Sequence, residues 1–312
     1  MLAAALPAAC DDAPQEVPAA PPSETASIPP GIAPGLPAPG SALMPTGGVS
    51  AAVLVPPPEP KCPEEMVGVR PKTGRTYCVD RYEATLIDDK TGAVLSPYYP
   101  PDPGKARYLG DLWKKQSGEG TTLERGMKLP ELPAWQKQPS SSPKATSKKG
   151  HVPQGYASGK DAEVACKNAG KRLCTVDEWK TACRGEQDRL FPYGDKFEQG
   201  KCNIFREAHP GVLLWDDPTI NHTDPRLNLV KSEKGPLLRV TGATPECASK
   251  WGDDAIMDMV GNLDEWIDDP EGTFLGGFYS RGKKDGCDSK VESHGLTYAD
   301  YSTGIRCCSD MP

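Results

Sequence analysis

None of the 11 cysteines forms a Cys-x-x-Cys knuckle, so the paired-thiolate spacing of structural zinc sites is excluded. Basic residues are not in excess. With 36 Lys and Arg against 43 Asp and Glu the net charge is −7, which disfavours nucleic-acid binding. No apolar run is long enough to span a bilayer as a helix. Histidine is scarce: His151, His209, His222 and His294 are scattered, with no His-x-x-x-His spacing and no histidine–carboxylate cluster. The chain also lacks a nucleophile elbow, a phosphate loop and paired catalytic acids. Asp268 and Asp269 beside Glu265 extend an acidic loop rather than form an acid/base pair.

Proline (34) and glycine (32) are abundant, which points to a loop-rich α+β domain with an unstructured portion. Cysteines this numerous, without metal spacing, fit a disulfide-bonded protein in an oxidising compartment. Met1-Leu-Ala-Ala-Ala-Leu-Pro-Ala-Ala-Cys10 resembles the end of a bacterial lipoprotein signal, although a positively charged start is absent. Cys10 is then the lipidated residue, and ten cysteines remain, an even number that can pair completely. Residues 11–60, rich in Pro, Ala, Gly and Ser, cannot bury enough apolar surface to fold and read as a tether. The expected location is the bacterial cell envelope, with a lipid anchor.

A folded domain is expected over residues 61–312. Cys62-Pro-Glu-Glu-Met-Val-Gly-Val69 and Thr76-Tyr-Cys-Val-Asp-Arg-Tyr-Glu83 read as two strands around a turn at Lys72–Arg75, which sets Cys62 beside Cys78. Residues 96–155 form a basic insertion with little hydrophobic periodicity, read as a solvated loop with Trp113, Trp135 and Tyr108 pinned to the domain. A working surface for a polyanion or sugar is the sharper reading, under which deleting residues 103–150 leaves the core folded. Two helices follow. Ser158 caps the first, whose face is Ala162, Ala165, Cys166 and Ala169. Thr175-Val-Asp-Glu178 is a capping box for the second, which closes at Gly185. Short strands are expected at Phe274–Leu275, Gly277–Ser280 and Gly304–Cys307.

Gly170-Lys-Arg-Leu-x-Thr-x-x-Glu-Trp179, Phe191-Pro-Tyr-Gly194, Cys202-Asn-Ile204, Val260-Gly-Asn-x-x-Glu-Trp266, Gly276-Gly277 and Gly304-Ile-Arg-Cys307 occur in fixed order. As a set they resemble the formylglycine-generating enzyme (sulfatase-modifying factor) family, in its cysteine-rich bacterial lipoprotein branch. The resemblance implies a C-type-lectin-like fold stapled by disulfides, with Cys166 paired to Cys307 and Cys183 to Cys287. Three pairings remain for Cys174, Cys202, Cys247 and Cys308; Cys174–Cys308 with Cys202–Cys247 is preferred.

The resemblance also implies chemistry. Asp258, Gly261, Leu263 and Glu265 match a structural calcium site, with carboxylate and carbonyl oxygens of the kind that ion takes. Asn203 and Ile204 match part of a second. Sulfatase-activating members hold copper(I) with two cysteines, five positions apart, just after the Gly-Gly strand, and soft thiolates suit that ion. Here Ser280, Arg281 and Gly286 stand around those positions, so no copper is expected. The pocket is expected near Tyr279, Ser280 and Arg281, where Arg281 can pair with an anionic group. The leading reading is a non-catalytic binding or scaffolding module for an envelope protein, peptide or glycan. The alternative is an envelope oxidoreductase or maturation factor using the same pocket.

Overall fold

The computed structural model describes residues 61–205 and 208–311. The expectations for Cys10 and for the tether at 11–60 lie outside the described residues. In chain order, β1 (Met66–Val69) pairs antiparallel with β2 (Tyr77–Asp80), Met66 opposite Asp80. β3 (Ala84–Asp88) follows and pairs with a strand some sixty residues on. Between them lie α1 (Pro103–Gln116) and α2 (Thr122–Gly126), before that partner, β4 (Pro143–Ser147). Next come α3 (Gly159–Asn168), β5 (Arg172–Leu173), α4 (Val176–Arg184) and α5 (Pro210–Trp215). β6 (Lys231–Ser232) and β7 (Gly235–Pro236) make a small hairpin, β8 (Ala248–Trp251) and β9 (Asp254–Met257) a longer one. The chain ends with β10 (Asp264–Trp266), β11 (Phe274–Leu275), β12 (Lys290–Val291), β13 (Thr303–Gly304) and β14 (Cys307–Asp310).

Two four-stranded sheets organise the domain, in the orders β1-β2-β14-β5 and β12-β11-β10-β13. The first sets the last strand between β2 and β5: Cys308 lies opposite Val79 and Cys307 opposite Leu173. In the second, β10 runs parallel to β13, Asp264 opposite Thr303. Most connections are irregular, giving the loop-rich α+β class expected. No helix among the described residues is long and apolar enough to cross a membrane.

The helices form for the reasons legible in their caps. Ser158 and Asp161 make a reciprocal capping box on α3, Thr175 and Glu178 another on α4, so the orphan N–H groups of each first turn are satisfied. Ala162, Ala165 and Cys166 are buried from α3; Trp179, Ala182 and Cys183 from α4. Disulfides tie these helices to the sheets: Cys166–Cys307, Cys174–Cys308, Cys183–Cys287 and Cys202–Cys247, with Cys62–Cys78 across the first strand pair. These are the five pairs given above. Every cysteine among the described residues is bridged.

Two sequence readings are corrected. The 96–155 segment is not a solvated loop. Ala106, Leu109, Gly110 and Trp113 form a buried stripe on α1 at helical spacing, obscured in the sequence by the lysines between and beyond them. Trp113 packs on Trp215 with ring centroids 5.6 Å apart. Glu124 of α2, fully buried, receives the Arg226 guanidinium at 2.5 Å and the N–H groups of Gly118 and Gly120. Deleting 103–150 therefore removes β4 and one partner of a buried ion pair, so a folded remainder is not expected. Second, Gly277–Ser280 is a turn rather than a strand, and Gly304–Cys307 splits between β13 and β14. Gly276 and Gly277 take φ of +95° and +77°, which breaks the pleat. At Gly276 a Cβ would stand 2.8 Å from the Met259 carbonyl, so only glycine lets the turn approach that loop.

Candidate functional site

The Gly-Asn-Leu-Asp-Glu-Trp run and the Ile-Arg-Cys-Cys run meet through the parallel β10–β13 pair and the strand that follows it. Their meeting buries a charged centre. Arg306 is fully buried. Its Nε bridges both Glu265 oxygens at 3.0 and 2.9 Å, and its terminal nitrogens reach Glu265 Oε1 at 2.7 Å, the Asp80 carbonyl at 2.8 Å and the Met257 carbonyl at 2.8 Å. Trp179 Nε1 donates to Glu265 Oε2 at 2.6 Å. Asn262, in the left-handed region at φ +63°, is a hub. Its NH2 donates to Glu83 at 2.6 Å and to the Arg239 carbonyl at 3.1 Å, while its oxygen accepts from Asn203 at 2.8 Å and from Arg239 N–H at 3.0 Å. Glu83 also accepts from Leu263 N–H at 3.1 Å.

Three buried carboxylates thus share one buried guanidinium. Burial, with Asp258 and Glu265 adding to it, holds Glu83 well above the usual carboxylate range. Burial also pushes Asp258 up to about 6, against the Gly242 N–H and the Arg306 charge. The folded state therefore keeps the Asp258 proton to higher pH than the unfolded chain, where an aspartate titrates near ~3.9. More protons bound in the folded state means stability that is full below about pH 4 and declines as pH rises toward 6. Asp258→Asn keeps an acceptor for Gly242 N–H, which now reaches Asp258 Oδ2 at 2.7 Å. The variant is expected to show a higher urea midpoint than wild type at pH 7–8, converging with it near pH 4. A wild-type advantage at pH 8 would contradict this.

Two of the residues expected to bind calcium, Glu265 and Asn203, are hydrogen-bonded within the chain. Both Glu265 oxygens accept from the one Arg306 Nε–H, Oε2 also accepts from Trp179 Nε1, and Oε1 is ion-paired to the Arg306 terminal nitrogen. The cation at this place is part of the chain. Asn203 directs its NH2 at the Leu237 carbonyl, at 2.9 Å, and at Asn262. Its own carbonyl accepts Asn262 N–H at 2.8 Å. Ile204 is buried, and a Cβ added at Gly277 would stand 3.2 Å from it. Among the described residues no group of three or more His, Cys, Asp or Glu side chains is placed to hold a metal ion.

The Gly276–Gly277 turn carries the other expected site residues, which are only partly open. Tyr279 is fully buried and donates to Asn228 Oδ1 at 2.9 Å, so it belongs to the core rather than to a pocket wall. Ser280 donates to the Ala208 carbonyl at 2.8 Å. The Arg281 guanidinium is ion-paired to the buried Asp264 carboxylate and lies 5.2 Å from the centre of the Phe278 ring. Burial pushes Asp264 up to about 7, with Arg281 pulling it down. Gly286 cannot carry a side chain where it stands: a Cβ would lie 2.2 Å from the Leu190 carbonyl. Cys287, next in sequence, is bridged to Cys183. No thiol pair is available beside the turn, so the donor set does not fit copper(I).

Two of the scattered histidines come together here. His209 and His222 flank Tyr301, with ring centroids 6.1 and 5.8 Å from it. His209 Nδ1 accepts Gly211 N–H at 3.2 Å, so the proton of the neutral ring stands on Nε2 and points at the Tyr301 oxygen, 3.1 Å away. Burial, with His222 nearby, holds His209 below the usual imidazole range. His151 is exposed and His294 stacks on Tyr298, centroids 4.3 Å apart. The sequence reading missed Glu83, Arg306, Asn262 and Asp264. The available signal was a charged or amide side chain inside motif runs otherwise made of buried residues.

The family model for the sulfatase-modifying factor enzyme 1-like domain matches residues 105–310, about two-thirds of the chain, and the chain belongs to this family. Relatives include an inactive C-alpha-formylglycine-generating enzyme 2 of Bos taurus, 32% identical over 83 residues. That stretch covers 26% of this chain and 28% of the relative. The formylglycine-generating enzyme of Mus musculus is 44% identical over 59 residues, 18% of this chain and 16% of the relative. The chain thus spans less than a third of the length of these relatives. Similar solved structures include CarF, with TM-score 0.38 and 12% identity over 79% of this chain and 97% of that one. PvdO from Pseudomonas aeruginosa has TM-score 0.36 and 13% identity over 81% of this chain and 90% of its own.

Proposed function

We propose that this domain is a non-catalytic member of its family, a binding or scaffolding module of the bacterial cell envelope whose partner is an envelope protein, peptide or glycan. One observation carries the reading. Where the resemblance places a copper-holding thiol pair, this chain has an arginine ion-paired to Asp264 and a glycine packed on a backbone carbonyl. Every cysteine among the described residues is bridged, so none of these offers the thiolate that soft-metal redox chemistry needs. Two of the matched relatives, from Bos taurus and Mus musculus, are named inactive, which supports the same reading. Lipid anchoring through Cys10 accompanies the proposal.

The test uses protein purified from an oxidising compartment. It is offered copper(I), oxygen and a cysteine-containing peptide of the sulfatase type, and metal content, oxygen uptake and aldehyde formation are measured. The expected result is no stoichiometric copper and no aldehyde. Stoichiometric copper with peptide aldehyde would establish the oxidase alternative.

A further inference from the structure

An open cleft of about 580 Å3 lies beside the Gly-Gly turn, reaching Ala208, the residue whose carbonyl accepts the Ser280 hydroxyl. That volume is in the range of small-molecule sites. The cleft's apolar lining includes Ala208 and Leu213, with the buried Ile204 and the disulfide-bonded Cys202 beneath. The lining also includes Lys231, Glu233, Lys234 and Arg239.

Arg239 is the distinctive member. Its backbone is clamped at both ends by Asn262, N–H to Oδ1 at 3.0 Å and carbonyl from Nδ2 at 3.1 Å, so the buried hub fixes where its side chain begins. The side chain is half-buried. Among the described residues its guanidinium makes a single hydrogen bond, from NH1 to Thr244 Oγ1 at 3.2 Å. It feels the charge of Asp258, but among the described residues it forms no ion pair. Most of its five N–H donors therefore have no partner among the described residues, and its planar fork favours a carboxylate or phosphate. Arg281 differs, its guanidinium being committed to Asp264.

We propose that this cleft binds a ligand ending in a carboxylate or phosphate on a short apolar stem. The anion is held by Arg239 with Lys231 nearby, and the stem lies against Ala208 and Leu213. The proposal deepens the binding-module reading, on which its biological use rests, by naming the ligand chemistry. An acidic peptide end and a lipid-type phosphate share that chemistry.

The experiment is calorimetric titration of the purified protein with hexanoate, hexyl phosphate and hexylamine, which share a stem and differ in the head group. Saturable binding of one or both anions and none of hexylamine is expected. The stronger anion identifies the source, carboxylate or phosphate. Arg239→Gln should weaken anion binding about tenfold or more while leaving the unfolding midpoint near wild type. Lys114→Gln, on the exposed face of α1, should leave the affinity unchanged. If Arg239→Gln does not fold, Arg239→Lys, which keeps charge and loses the fork, carries the comparison with a several-fold loss. Absence of saturable anion binding, equal binding of hexylamine, or unchanged affinity without the Arg239 fork overturns the proposal. Copper-dependent turnover would instead overturn the non-catalytic reading and leave these titrations as they stand.

Discussion

Arg306→Met is expected to lower stability by about 3–5 kcal/mol, the range found when one partner of a buried ion pair is removed. The loss would be large against a total that is typically ~5–15 kcal/mol. It comes from what remains: Glu265, Asp258 and Glu83 would stay buried without their shared cation, and the carbonyls of Asp80 and Met257 would lose their donors. The size of the effect should therefore depend on the surviving charge. Glu265→Gln combined with Arg306→Met should cost less than the two single changes added together. Urea unfolding of the wild type, both single variants and the double variant measures this directly. A loss below about 1 kcal/mol for Arg306→Met, or strict additivity, would show that the centre is not held by charge compensation.

The second large effect concerns the covalent frame. Cys166–Cys307 spans a separation of 141 residues and Cys62–Cys78 one of 16. In the chain-entropy description a lone bridge across 141 residues contributes about 5 kcal/mol and one across 16 about 3 kcal/mol. Cys174–Cys308 already holds the same two segments together, so Cys166–Cys307 closes a further loop of only about nine residues and adds about 3 kcal/mol. Cys166→Ala with Cys307→Ala should thus lose about as much as Cys62→Ala with Cys78→Ala, and removing Cys174–Cys308 as well should lose about 4 kcal/mol more, the loop it then closes being bounded by Cys183–Cys287. The long bridge also joins α3 to β14, the strand that closes the first sheet on β2 and β5. Denaturant midpoints of the three variants rank them, and a variant lacking both long bridges that is no weaker than the one lacking Cys62–Cys78 would place the stabilisation in local packing rather than in loop closure.

Local chemistry was legible where it was self-contained. The capping boxes at Ser158 and Thr175 announce α3 and α4 because cap and first turn lie within four residues. Cys62 and Cys78 were legible because a short turn sets their strands side by side. α1 was not, because its buried stripe is narrow and its other faces are lysine-rich. The Gly277–Ser280 stretch read as a strand from its aromatics, yet two consecutive glycines at positive φ decide its path. The site was less legible still. Glu83 meets Leu263 from 180 residues away, and Arg306 reaches Asp80 over 226. Only the topology shows that these polar groups are buried together. Glu265 stood out in the sequence as a calcium ligand because its partner Arg306, 41 residues on, is not evident from spacing.

The proposed non-catalytic role rests on sulfur chemistry, and sulfur can be counted. Alkylation of the protein denatured without reductant, followed by peptide mass spectrometry across residues 61–311, should find no labelled cysteine and five cross-linked pairs. Label on both Cys183 and Cys287 would reveal a reduced thiol pair where this account has only a structural bridge, and would contradict it.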